Sequence, residues 1–242
     1  MPQEVTRIKK RIKSVSASYK ITSAMKLVST VKLKRWKAKM LANKDYASKI
    51  DEIAEIVFSS IEKSKNPFFQ ERKADKNLYI VLSSSLGLCG AYNNNIFRVA
   101  DAKIKDNDDA IIEFITKEYI KGVYQEIHII YTSYKNSLVF HPVDYTLLPL
   151  KVTEKEKNPY PPIMEPNQET LINALVPIYL KNSVYAKFLE SEVCEQAARS
   201  NAMENATKNA EELLENLQIE FNKARQGAIT QEITEIVGAS QS

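Results

Sequence analysis

The turn Gly87-Leu88-Cys89-Gly90 follows an apolar, β-forming run (NLYIVLS, Asn77 to Ser83) and precedes an amphipathic stretch from about Asn94 to Lys105. Strand, glycine turn and helix in that order is how phosphate cradles are built. The signal goes no further, because no Lys-Ser/Thr pair and no GxGxxG accompany it and the chain holds only five glycines. Gly87, Cys89 and Gly90 are therefore expected to make a tight foot turn and to bind no nucleotide. Cys89 and Cys194 lie far apart, without CxxC or histidine spacing, and read as reduced, buried thiols. His128 sits in an apolar strand-like run and His141 just before Pro142, neither with a spacing that picks out an activating partner, so both are expected to be structural. The acid pairs Asp108/Asp109 and Glu211/Glu212 are neighbours in sequence, which suits a helix cap and a solvated face better than general acid and base. The expectation is a chain with no catalytic residue, no cofactor and no metal of its own.

What remains is contact chemistry, and two long helices must position it. The stretch from about Leu189 to Gly238 keeps apolar or small residues at helical steps through Val193, Ala197, Met203, Ala206, Ala210, Leu213, Leu217, Phe221 and Ala224, ending in Ile229, Ile233 and Ile236. From about Val5 to Phe58 the same holds through Ile8, Ile12, Val15, Tyr19 and Thr22, then Ala24, Val28 and Val31. Each helix has one thin face to bury, as a coiled-coil seam does. No proline interrupts Gln3 to Asn66 or Ile178 to Ser242, so both can run unbroken. Roughly 50 residues of helix would span about 75 Å, well beyond a small globular body.

Between them lies room for one small domain. Asp108 can cap a helix through Ile111, Ile115, Tyr119 and Val123, and Glu126 to Thr132 and Ser137 to Pro149 look like strands. The alternation suggests a layered α/β domain with a largely parallel sheet. Lys151 to Pro166 is polar and proline-rich and reads as a loop, and Pro177 is expected to kink or break the helix around it.

Charge is modest in sum, +4, but polarised: Met1 to Lys44 holds thirteen Lys/Arg against the single acid Glu4, while Glu211, Glu212, Glu215 and Glu220 cluster near the other end. Such a basic helix could mark nucleic acid, yet paired with an acidic helix it reads better as a self-complementary coil or a partner-facing surface. The opening MPQEVTRIKKRIK has no apolar core of a secretory signal, and no run reaches the roughly 18 apolar residues of a membrane span. A cytosolic chain without direct membrane insertion is expected.

The ending NKARQGAITQEITEIV, with the helix before it, closely resembles the γ subunit of F-type ATP synthases, whose hallmark is NKARQ-x-x-ITQE-x-x-EIV. IKKRIKSVSASYKITSAMKLVSTVKLKR is similar to that family's first helix, GLCGAYNNNIF to its GLCG-x-x-N-x-N turn, and Leu147 to Leu150 to its LLPL segment. The resemblance implies a long antiparallel coiled coil of N- and C-terminal helices (1–65 and 166–242) with a small, reduced Rossmann-like α/β foot domain (66–165) between them. It implies a rotating shaft, one copy per complex, seated in an α/β hexamer whose β subunits carry ATP/ADP and Mg. The ε and c-ring subunits would meet the foot, placing the complex at the cytoplasmic face of the membrane. Contacts to β subunits fall on Arg225, Gln226, Thr230 and Glu232, with Arg199 and Met25 lower down; Ile233, Ile236 and Val237 form an apolar shaft tip.

Two departures stand out. Ser85 and Leu86 replace the family's Asp-Arg before the turn, and a strand and helix normally inserted between Lys105 and Asp108 are missing. The shortened foot opens an alternative, a γ-like shaft in a specialised motor not coupled to ion translocation. A basic coiled-coil arm on nucleic acid is the remote alternative, and it leaves the NKARQ ending unexplained.

Overall fold

The computed structural model describes residues 3–59, 67–70, 73–102, 119–150, 164–165 and 167–240. Its elements are α1 (Gln3–Ser59), β1 (Leu78–Val81), α2 (Tyr92–Asp101), β2 (Ile127–Tyr134), β3 (Phe140–Leu148) and α3 (Gln168–Ser240). They divide into two compact units, one of 1–31 with 199–242, the other of 32–198. The expected fold, two long terminal helices around a small α/β domain, is the one observed.

In the second unit β2 is the middle strand, parallel to β1 and antiparallel to β3. The sheet is thus mixed rather than largely parallel, and the connection explains it. Residues 135–139 close a tight hairpin in which the Asn136 side-chain oxygen accepts from the amides of Leu138 (2.9 Å) and Val139 (2.7 Å), so β3 must return along β2. A parallel β3 would have needed a crossover. As a central strand covered on both faces, β2 is buried along nearly its whole length, His128 and Thr132 included.

Alternate residues of β2 feed two cores. Ile127, Ile129 and Tyr131 pack with Val57 and Phe58 of α1 and with Ile172, Val176, Leu180 and Val184 of α3. Ile130 faces the other way, onto Tyr92, Ile96 and Ala100 of α2 and onto Cys194 and Ala198 of α3. Helix α3 therefore serves both cores, crossing the end of the sheet between them. It starts at Gln168, well before Leu189, capped by the Asn167 side chain, which accepts from the Thr170 amide at 2.8 Å. Nor does Pro177 break it: burial of Ile172, Val176 and Leu180 around that turn offsets the one backbone hydrogen bond a proline forgoes. The cap at Asp108, the helix begun there and the loop 151–163 lie outside the described residues; Tyr119 and Ile120 are helical, and Gly122, at φ 80°, follows them.

Candidate functional site

The unit of 1–31 and 199–242 is an antiparallel helix pair. Thr207 hydrogen-bonds Thr22 (3.0 Å), Lys26 pairs with Glu204 (3.6 Å), and Thr30 meets Ser200 (3.1 Å), so one helix falls in number as the other rises. Its inner face follows strict alternating steps of three and four. Among the buried or half-buried positions, Val5, Ile8, Ile12, Val15, Tyr19, Thr22, Lys26 and Ser29 of α1 and Met203, Thr207, Ala210, Leu214, Leu217, Phe221, Ala224 and Ala228 of α3 make this line, with half-buried Ser16, Ser23 and Met25 on α1 and Ala206 on α3 flanking it. That is a heptad seam. It corrects two expectations: Leu214 rather than Leu213 faces inward, and after Thr22 the seam runs through Lys26 and Ser29, not Ala24, Val28 and Val31. Going from Thr22 to Ala24 is a step of two, which leaves the seam.

The discarded residues form a stripe of their own. Ile21 (60% exposed), Ala24, Val28 and Val31 (70% exposed) follow one another at helical steps along the outside of α1, with Leu27 beside them. Followed to its end, the register brings the start of α1 opposite about Gln226. Beyond it α3 continues as a single helix carrying exposed Ile229, Ile233, Ile236 (69% exposed) and Val237. Arg225 and Gln226 stand where the pair ends, Thr230 and Glu232 on the overhang, and all four are exposed. Thr230 turns its hydroxyl back to the Gln226 carbonyl (3.0 Å), as Thr234 does to Thr230 (2.9 Å). Met25 is half-buried, and Arg199 is buried at 5% exposure.

The foot turn belongs to the other unit. Gly90 has φ 62°, a conformation that glycine adopts freely, whereas Gly87 faces open space. Leu88 takes φ 64° without being glycine and, with Leu86, is exposed. Cys89 is buried and its thiol points to the Leu86 carbonyl (3.7 Å). In open α/β sheets a ligand sits beyond the carboxyl ends of the strands. Here that place is filled by the chain itself. Ser191 of α3 points its hydroxyl at the Leu82 carbonyl just past β1 (3.5 Å) and shares a 2.7 Å hydrogen bond with Tyr92. Glu190 accepts from the Ser133 hydroxyl (2.8 Å) and the Tyr134 amide (2.7 Å), and the Cys194 thiol meets the Thr132 carbonyl (3.5 Å). Burial pushes the Tyr92 phenol up to about 12 and raises the Cys194 thiol as well, so both stay protonated.

One polar group escaped the sequence reading. His128 is flanked by Asp144 at Nδ1 and Glu126 at Nε2, both 2.9 Å away, and stacks on Tyr79 with centroids 4.8 Å apart. The spacing Glu126-x-His128 puts both side chains on one strand face and could have flagged the first contact; Asp144 comes from β3 and could not be foreseen. The ring ties β2 to β3 and to the residue before β2. Among the described residues no group of histidine, cysteine and acids is arranged to hold a metal ion, and no helix is long and apolar enough to cross a membrane.

A family model described as ATP synthase matches residues 4–110 and 106–242. The chain is 33% identical over 273 positions to an ATP synthase gamma chain of Desulforamulus reducens, covering 96% of both. To that of Mycoplasma mobile it is 34% identical over 282 positions, covering 99% of both. Its fold is similar to a chain of the Euglena gracilis mitochondrial ATP synthase in an OSCP/F1/c-ring structure in rotational state 3, with a TM-score of 0.68 at 16% identity, over 98% of this chain and 93% of that one. A second likeness is to a chain in a central stalk and c-ring structure of the Tetrahymena thermophila mitochondrial ATP synthase, with a TM-score of 0.56 at 21% identity, over 77% and 99%. The two family segments meet at 106–110, and both relatives align over more positions than the 242 residues present here.

Proposed function

The chain belongs to the ATP synthase γ-chain family, and from that premise we infer that it works as the central rotating shaft of an F-type ATPase, coupling ATP hydrolysis or synthesis in an α/β hexamer to rotation. The observation that carries this reading is the apolar surface of the helix pair: a second stripe outside the seam, and an overhang of single helix ending in exposed isoleucines. A lone helix of that length is marginal in water, and apolar faces of this kind call for an enclosing sleeve.

A single off-axis helix pair in a pseudo-threefold ring presents a different face to each β subunit. Differential contact free energy is what holds the three in different nucleotide-affinity states, and rotation exchanges them. Arg225, Gln226, Thr230 and Glu232 are the contacts we assign to the β subunits. Charge-assisted hydrogen bonds from an exposed rigid helix, each worth about 1 to 3 kcal/mol, can form and break at every step. Met25 and Arg199 are secondary contacts, Arg199 through the small edge it leaves accessible. ATP/ADP and Mg are held by partner subunits and this chain is non-catalytic. The filled carboxyl ends of β1 and β2 accord with that assignment. The ε and c-ring subunits are the partners we assign to the foot, which makes the chain peripheral at the cytoplasmic face of the membrane. Neither a repurposed motor nor a nucleic-acid arm is favoured by the family match.

Native capture of the chain from cells, with mass spectrometry and an ATPase assay on the eluate, tests the assignment. Recovery of α, β, ε and c subunits with ATPase activity is expected. Nucleic acid without nucleotide-binding subunits would overturn it.

A further inference from the structure

Helix α3 meets the sheet through a ladder of polar side chains on one face. Lys187 lies over the rings of Tyr131 (5.3 Å) and Tyr145 (4.8 Å). A turn later Glu190 holds Ser133 and Tyr134 at the end of β2, Ser191 reaches Leu82 and Tyr92, and Cys194 reaches Thr132. Steps of three and four put these residues on one side of the helix. From the other helix, Lys37 of α1 lies over the Tyr134 ring at 5.9 Å, so the last residue of β2 is gripped from both.

Apolar packing between helix and sheet resists separation but is non-directional and resists sliding weakly. Hydrogen bonds are directional, and charge-assisted ones are the strongest of them. Of the groups on this face, only Glu190 places one carboxylate oxygen on two donors of the same strand end, one of them main-chain. We propose that Glu190 is the positioning residue of the joint through which helix α3 turns the sheet domain, so that torque carried along the helix reaches β2 through its carboxylate. The inference rests on the shaft reading and adds the place where load passes into the foot.

The test uses the assembled complex, fixed by its α/β subunits, with a bead on a cysteine introduced as Leu138→Cys at the hairpin tip, where Leu138 is 80% exposed. Both thiols of this chain are buried, and α/β subunits with their own cysteines replaced make the labelling selective. A control handle is placed on α3 by Lys181→Cys. Continuous rotation of either bead on adding ATP tests the shaft reading; angular fluctuation with nucleotide withheld tests the joint, independently of rotation. Glu190→Ala is expected to raise the mean-square fluctuation at the hairpin handle roughly twofold, as losing the most directional contact of a small set would, and to leave the helix handle unchanged. Glu190→Gln is expected to restore most of the stiffness, because its amide oxygen can accept the same two bonds although without the charge. Unchanged fluctuation in Glu190→Ala, equal loosening at both handles, or failure of Glu190→Gln to restore would each overturn the joint. Should Glu190→Ala not assemble, Ser133→Ala removes one donor and carries the same expectation at smaller amplitude.

Discussion

Tyr92 is a phenol whose proton is held by its surroundings. Its hydroxyl is bonded to Ser191 inside the α2 core, and burial lifts its pKa from 10.0 to about 12. A raised folded pKa in an acid means the neutral form is the one the fold prefers. The associated stability is complete below about pH 10 and lost as pH rises toward about 12, roughly 3 kcal/mol in all. Alkaline unfolding of the sheet unit, followed by circular dichroism, should steepen across that window and flatten in Tyr92→Phe; identical pH profiles would remove the account. At the exposed end of α3, replacing Gln226, Thr230 and Glu232 together by Ala should leave the complex assembled but lower its ATP turnover, and unchanged turnover would strip those residues of the latch role. The assignment of these tip contacts rests on the long motif that holds them. Glu190 and Ser191 were not legible, since their partners lie more than fifty positions away and nothing local distinguishes them from a solvated helix face.

Among elements, the helix pair obeys alternating steps of three and four more strictly than hydrophobicity alone conveys. Threonine, serine and lysine occupy seam positions where Thr22, Lys26 and Ser29 meet Thr207, Glu204 and their neighbours, while valines lie outside. Following the most apolar residues therefore led off the seam at Ala24 and misjudged Leu213, although both helices were plain from period and from the lack of proline, and their antiparallel sense followed from the family resemblance. Leu217 and Leu213 separate the two criteria. Leu217→Ala, at a buried seam position, should cost about 2 to 5 kcal/mol, whereas Leu213→Ala should stay within about 0.5 kcal/mol, read from denaturant midpoints. Equal losses would place the seam elsewhere. The sheet was half legible: its strands announced themselves by β-branched runs, but the sense of β3 depended on a five-residue turn held by Asn136.

For the whole molecule, the expectation is a chain finished only by its surroundings. Amides of 229–240 should exchange rapidly in the isolated chain and slow markedly in the assembled complex, whereas those of β2 should be protected in both; equal protection of 229–240 in the two states would argue against an enclosing sleeve. The family and the two-helix plan were readable in full from the termini, because a coil advertises itself through period and a tip through motif. The foot was readable only in part, since the pairing of its strands is set by contacts distant in sequence. One consequence concerns control. Glu190 and Ser191 bond the carboxyl ends of β1 and β2 directly to helix α3, so a neighbour that presses on that helix acts on the sheet with no intermediary.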